Sequence, residues 1–224
     1  MELFHGSTGI ISKPSYGGGK AYNDYGQGFY CTQVTELAME WACREGSEEA
    51  FINIYSIDTD NLSVLSLNSP SFNILNWLAI LVENRNGDYF AGFNSESRKI
   101  LLDRYLPDYK SADIIVGYRA DDSYFSFAKA FLRGSISLRQ LSVAMRLGKL
   151  GEQVCIKSRR AFDELLFIGY GSVPVSEYLP KKQARDLEAR KQYAGLSSEA
   201  SFAEDIYWID IIRQNWTNND PRLF

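Results

Sequence analysis

Short stretches that alternate apolar and polar residues punctuate the chain, with longer stretches of three-to-four-residue periodicity between them. Glu2 to His5, Phe29 to Thr32, Phe51 to Ile57, Leu62 to Leu67, Ala112 to Gly117, Gln153 to Lys157 and Leu166 to Gly169 read as strands. In an extended chain successive side chains face opposite ways, so a period of two suits a half-buried sheet. Phe51 to Ile57 is the clearest and is expected to be central.

Helical spacing places Val34, Leu37, Ala38, Trp41 and Ala42 on one stripe, with Thr32 as the expected N-cap and Trp41 on the buried side. Phe72 to Asn84 reads as a second helix capped by Ser71, and a third lies near Ser97 to Tyr105. Ser123 to Leu132 stops at Gly134, and Leu138 to Leu147 starts at Ser137 and stops at Gly148. Arg159 to Leu165 reads as a helical turn or two. Toward the end, Lys181 to Gln192 is a polar, net-basic helix with a solvated face. Phe202 to Trp216, with Ile206, Ile209, Ile212 and Trp216 on one face, is expected to dock a last helix on the body. The class is α+β. The division is a mixed domain over residues 1–172 and a helical C-terminal extension over 173–224.

Composition narrows the class little further. An apolar fraction of 45% and a charged fraction of 23% are those of a globular protein. No apolar run is as long as a membrane span, and no basic-then-apolar leader opens the chain, so a cytoplasmic protein without a membrane partner is expected. Cys31, Cys43 and Cys155 form neither a disulfide framework nor a zinc pattern. A net charge of −4 gives no global attraction to nucleic acid, which leaves a local basic face as the route to one.

The chemistry concentrates in Asp24-Tyr25-Gly26-Gln27-Gly28-Phe29-Tyr30-Cys31-Thr32. Glycines flanking Gln27 permit a tight turn and close approach to a ligand, and the strand that follows holds Tyr30 ready to stack on a flat ring. His5, the only histidine, ends a strand beside Gly6, where a neutral imidazole can bond a sugar hydroxyl. Gly17 to Lys20 lacks the Walker ending, although Lys20 is placed to reach a phosphate.

His5-Gly6-Ser7, then Gly26-Gln27-Gly28-Phe29-Tyr30, then Trp41 resembles the NAD-binding half of the ADP-ribosyltransferase superfamily, in its diphtheria-toxin/PARP-like branch. Trp77-Leu78, Asn84-Arg85, Ile114-Ile115-Val116-Gly117, Ala120-Asp121-Asp122 and the strand opening at Gln153 resemble a bacterial family within it. The resemblance covers about residues 2–170. It implies a split mixed β-sheet core with flanking helices, NAD as substrate and no metal. His5 would hold the adenosine-side ribose, Gly6 the carboxamide, and Tyr30 the nicotinamide ring. Trp41 would stand where a second tyrosine is common, and Ser7 or Thr32 would bond a ribose. The third position, usually Glu, falls on Gln153, with Glu164 as the alternative alignment. Asp121 and Asp122 are then candidates for the missing acid or for the base that deprotonates a nucleophile. The acceptor would be RNA, DNA, protein or water. A toxin or defence role with a neutralising antitoxin partner is implied by resemblance only. A non-catalytic module that binds NAD or ADP-ribose is the alternative from another class.

Overall fold

The computed structural model describes residues 1–85, 95–119, 122–147, 151–199 and 202–224, with the side chains of 122–124 set aside. Its strands are β1 (Glu2–Ser7), β2 (Phe29–Cys31), β3 (Phe51–Ile57), β4 (Val64–Ser66), β5 (Ile114–Tyr118), β6 (Glu152–Ile156) and β7 (Leu165–Ser172). Its helices are α1 (Thr35–Ala42), α2 (Ile74–Asn84), α3 (Ser95–Tyr105), α4 (Asp122–Leu132), α5 (Leu138–Ala144), α6 (Arg159–Asp163), α7 (Val175–Ser198) and α8 (Trp208–Arg213). The class is α+β.

The strands form two sheets. One runs β1-β3-β7, antiparallel, with β3 in the middle as its alternation foretold. The other runs β2-β6-β5-β4, antiparallel except for the parallel β4–β5 pair. Phe4 and Thr32 join them by exchanging backbone hydrogen bonds of 2.8 and 2.9 Å. That bridge sets β1 and β2 side by side, which brings His5 and Tyr30 together.

Helix α2 is apolar nearly all round, and Leu75 through Val82 are buried. Such a helix has no solvent face to offer and becomes the centre of a core. Trp77, Leu78 and Leu81 share one cluster with Phe127, Phe131 and Leu141. Leu196, Trp208, Ile211, Trp216 and Leu223 belong to the same cluster, so the C-terminal segment is packed into the body.

Several local readings are corrected. Helix α2 is capped by Asn73, whose side chain accepts from Leu75 N–H while Asn76 Oδ1 takes Asn73 N–H; Ser71 stands outside. Helix α1 begins after Val34, and Thr32 Oγ1 instead accepts from Val34 N–H in the preceding turn. Phe202 to Trp216 is helical only over Trp208–Arg213, because the Asp205 and Asp210 carboxylates take the N–H groups of Phe202 and Tyr207. Short acidic side chains compete with a helix in this way and favour turns and caps.

Helix α7 is also less solvated than its charges suggested. Arg185 donates to both oxygens of buried Glu40, at 2.9 and 2.7 Å, and Lys182 donates to Cys43 O at 3.1 Å. Glu40 therefore takes a buried place on α1, and Trp41 sits beside it, half-buried. Removing one partner of a buried pair strands the other charge. Arg185→Ala is expected to cost about 3 kcal/mol, which calorimetry reads as a fall in Tm of about 6–12 °C for a chain of this length. A shift under about 2 °C would show that α7 is not anchored through this pair.

Candidate functional site

A cavity of about 630 Å³ opens where the two sheets meet. His5 and Gly6 come to it from β1, Phe29 and Tyr30 from β2, Trp41 from α1, and Gln153 from β6. These positions lie far apart in the chain, and the Phe4–Thr32 bridge is what gathers the first two pairs.

Each side chain is held by its own contacts. His5 Nδ1 lies 2.7 Å from Tyr30 O, and since a carbonyl only accepts, that nitrogen carries the proton. The neutral ring, packed on Phe29 at 4.5 Å between centroids, then keeps Nε2 as an acceptor. Burial draws the His5 pKa below its ordinary 6.5, against the Tyr30 carbonyl, and Arg44 adds to the lowering. The unfolded chain therefore binds the proton first, and stability rises with pH through the window just below 6.5. Denaturant titrations at about pH 7.5 and pH 5.5 are expected to show a loss of stability in acid that His5→Asn reduces. An unchanged slope in that variant would contradict a buried neutral ring.

Tyr30 is fixed at its hydroxyl. It donates to Gly26 O at 2.6 Å and accepts from Tyr25 N–H at 3.0 Å, and its ring lies parallel to that of Tyr25. Burial raises the phenol pKa far above its usual value. The phenol is thus a neutral, locked surface rather than a base. The nearby glycines are explained by packing. Gly26 has φ of 78°, and a Cβ there would lie 2.6 Å from Asn84 Oδ1. A Cβ on Gly6 would lie 1.9 Å from Ala38 O, so β1 and α1 touch backbone to backbone at the cavity wall.

Gln153 is 4% exposed. Its amide N–H groups go to Asp24 Oδ2 at 2.7 Å and Tyr118 O at 3.1 Å, which fixes the amide's orientation. Asp24 was not singled out from the sequence. It is buried, lines the cavity, and also accepts from Arg85 Nη2 at 2.7 Å. Its only sequence signal was its place directly before Tyr25-Gly26.

Arg44, Arg85, Arg119 and Lys13 also line the cavity, against Asp24 as the one lining carboxylate among the described residues. Arg119 lies over the Trp41 ring at 4.4 Å. Trp41 Nε1 is buried without a hydrogen-bond partner among the described residues. An orphaned donor of this kind costs about 1–3 kcal/mol until an acceptor meets it. The cations and the aromatic rings on the lining suit an anionic ligand with ring systems.

Not every expected residue arrives. Ser7 Oγ donates to Gly9 O and accepts from Asn53, off the cavity. Thr32 is wholly buried and serves the inter-sheet bridge. Lys20 is not on the lining, and Glu164 is exposed at the C-cap of α6. Asp121 lies outside the described residues, as does the side chain of Asp122, whose backbone opens α4. No cluster fit to hold a metal occurs, and no helix is long and apolar enough to cross a membrane, among the described residues.

Fold and site together define an α+β protein with a cation-lined cavity at the seam of two sheets. The family model described as "Protein of unknown function (DUF3990)" matches residues 1–167, and the chain belongs to that family. The matched span holds every cavity-lining residue and ends before α7. No curated protein and no solved structure matches the chain.

Proposed function

We propose that the protein is an NAD-dependent ADP-ribosyltransferase, with an ADP-ribosyltransferase-like split sheet and a helical extension. The observation that carries this is the meeting of His5, Gly6, Tyr30, Trp41 and Gln153 on one cavity lined by four cations. Tyr30 and Trp41 offer the aromatic surfaces for nicotinamide, His5 Nε2 accepts from a ribose hydroxyl, and the arginines balance the pyrophosphate. In the reaction, the bond from C1 of the nicotinamide ribose to the pyridinium nitrogen breaks, and its electron pair leaves with nicotinamide. A nucleophilic oxygen or nitrogen of the acceptor bonds to C1 and gives up its proton. Positive charge grows on the ribose in between. Gln153 supplies a hydrogen bond there, and Asp24, 2.7 Å from the Gln153 amide, supplies the negative charge that a glutamine lacks.

A second reading is a binding module for NAD or ADP-ribose. It draws on the Arg85–Asp24 pair, which neutralises the carboxylate beside Gln153. Water as the acceptor would make the protein an NAD glycohydrolase. The resemblance adds a bacterial toxin or defence role and a neutralising partner, while the cysteine pattern and the lack of a long apolar run support a cytoplasmic site of action with no membrane partner. Calorimetric titration with NAD, repeated in the presence of ADP-ribose, tests the shared premise. A single saturable site that ADP-ribose competes for is expected, and no binding at millimolar NAD would remove both readings.

A further inference from the structure

A second cavity, of about 370 Å³, lies on the other side of the Pro14–Gly19 loop. Gly28 lines both cavities. Gln27 pins the wall between them by donating to Gly17 O at 2.6 Å and Gly19 O at 3.1 Å. Lys110, Lys157 and Arg159 line the second cavity, together with Ser111 and Ser158, and among the described residues no carboxylate does. Acids stand behind this lining: Glu83 pairs with Lys110 at 2.7 Å, and Asp108 accepts from Ser111 Oγ at 3.0 Å. Among the described residues the two linings thus hold seven lysines and arginines and one carboxylate, Asp24, in a chain whose net charge is −4. An acidic protein that sets seven of its 24 lysines and arginines around two adjoining hollows presents a path for a polyanion.

The second cavity also carries an aromatic surface. Tyr16 is 51% exposed, stands at its edge, and is braced by Arg159 at 4.8 Å and by Phe162 edge-on. A braced, half-open ring with a guanidinium beside it suits stacking by an unpaired base, and the cations suit its phosphates. Burial, and then Lys110, draw the Lys157 ammonium pKa down, so an anion arriving there restores favourable charge.

We propose that this second cavity is the acceptor site and that it takes a single-stranded nucleic acid, with a base on Tyr16 and phosphates on Lys110, Lys157 and Arg159. The proposal rests on the ADP-ribosyl-transfer reading only for what then happens to the strand. The binding itself needs no NAD, so the two fail separately.

Fluorescence anisotropy with labelled single-stranded RNA and DNA of about 12 nucleotides tests it. Saturable binding is expected, with log affinity falling on log salt at a slope of about −2 for three phosphates. Tyr16→Ala and the exposed-residue variant Lys110→Glu are each expected to weaken binding about tenfold, and a duplex of the same sequence to bind less well. RNA and DNA arms show which sugar is preferred. Strand binding without NAD turnover would uphold this site while removing the transferase reading. No binding at low salt, equal binding by both variants, or label transfer to protein that the oligonucleotide does not compete with would overturn the proposal.

Discussion

Tyr30→Ala is expected to lower NAD turnover about a hundredfold or more. Two losses combine. The ring that would carry the nicotinamide disappears, and stacking of this kind contributes about 1–3 kcal/mol. The hydroxyl that holds Gly26 O and Tyr25 N–H also disappears, so the turn after Asp24 loses one of its anchors at the same time. Tyr30→Phe separates the two. It keeps the ring and removes only the clamp, and is expected to retain turnover within about tenfold of the parent. Nicotinamide release with each variant, beside a melting curve to verify folding, is the measurement. Parent-like turnover in the alanine variant would contradict the stacking role.

The second large effect is expected at Asp24. Asp24→Asn keeps the shape and removes the charge, so a carboxylate that stabilises a developing cation should cost about a hundred- to a thousandfold in kcat with little change in KM. A carboxylate that only holds Gln153 in place would raise KM along with the fall in kcat. Equal kcat in the two proteins would contradict any electrostatic role for Asp24. Arg85 makes the comparison informative, because Arg85→Met removes a cation from Asp24 and keeps its charge. That variant is expected to keep a higher kcat than Asp24→Asn, although loss of a buried ion pair also costs stability.

Much of the fold was legible because its signals are local. The alternation of Phe51 to Ile57 marks the middle strand, and Ser137 with Gln140 marks the start of α5 through a capping box. Gly134, at φ of 73°, marks the stop after α4. What was missed depends on contacts distant in sequence. The basic helix, expected from Lys181, starts at Val175 as α7 and carries Pro180 inside it. The pairing of Arg185 with Glu40, 145 positions away, turned an apparently solvated basic helix into a docked one. Trp41 appeared on the buried stripe by periodicity, while Glu40 took the buried place because that arginine awaited it.

The site divides in the same way. His5, Gly6, Tyr30 and Trp41 were found because strand ends and glycine spacing are visible along the chain. Asp24 and the cations Arg44, Arg85 and Arg119 were given no place in it, since no local pattern says that these separate stretches will share one cavity. Ser7 and Thr32 were expected there by motif and were taken instead by Asn53 and by the inter-sheet bridge.

Nicotinamide release from NAD by the purified protein tests the central claim most directly, with and without added single-stranded RNA, DNA and protein. Release is expected to rise when a nucleic-acid strand is present and to fall in the Tyr30→Ala and Asp24→Asn variants. Binding of NAD with no release under any addition would contradict it and leave the binding module standing.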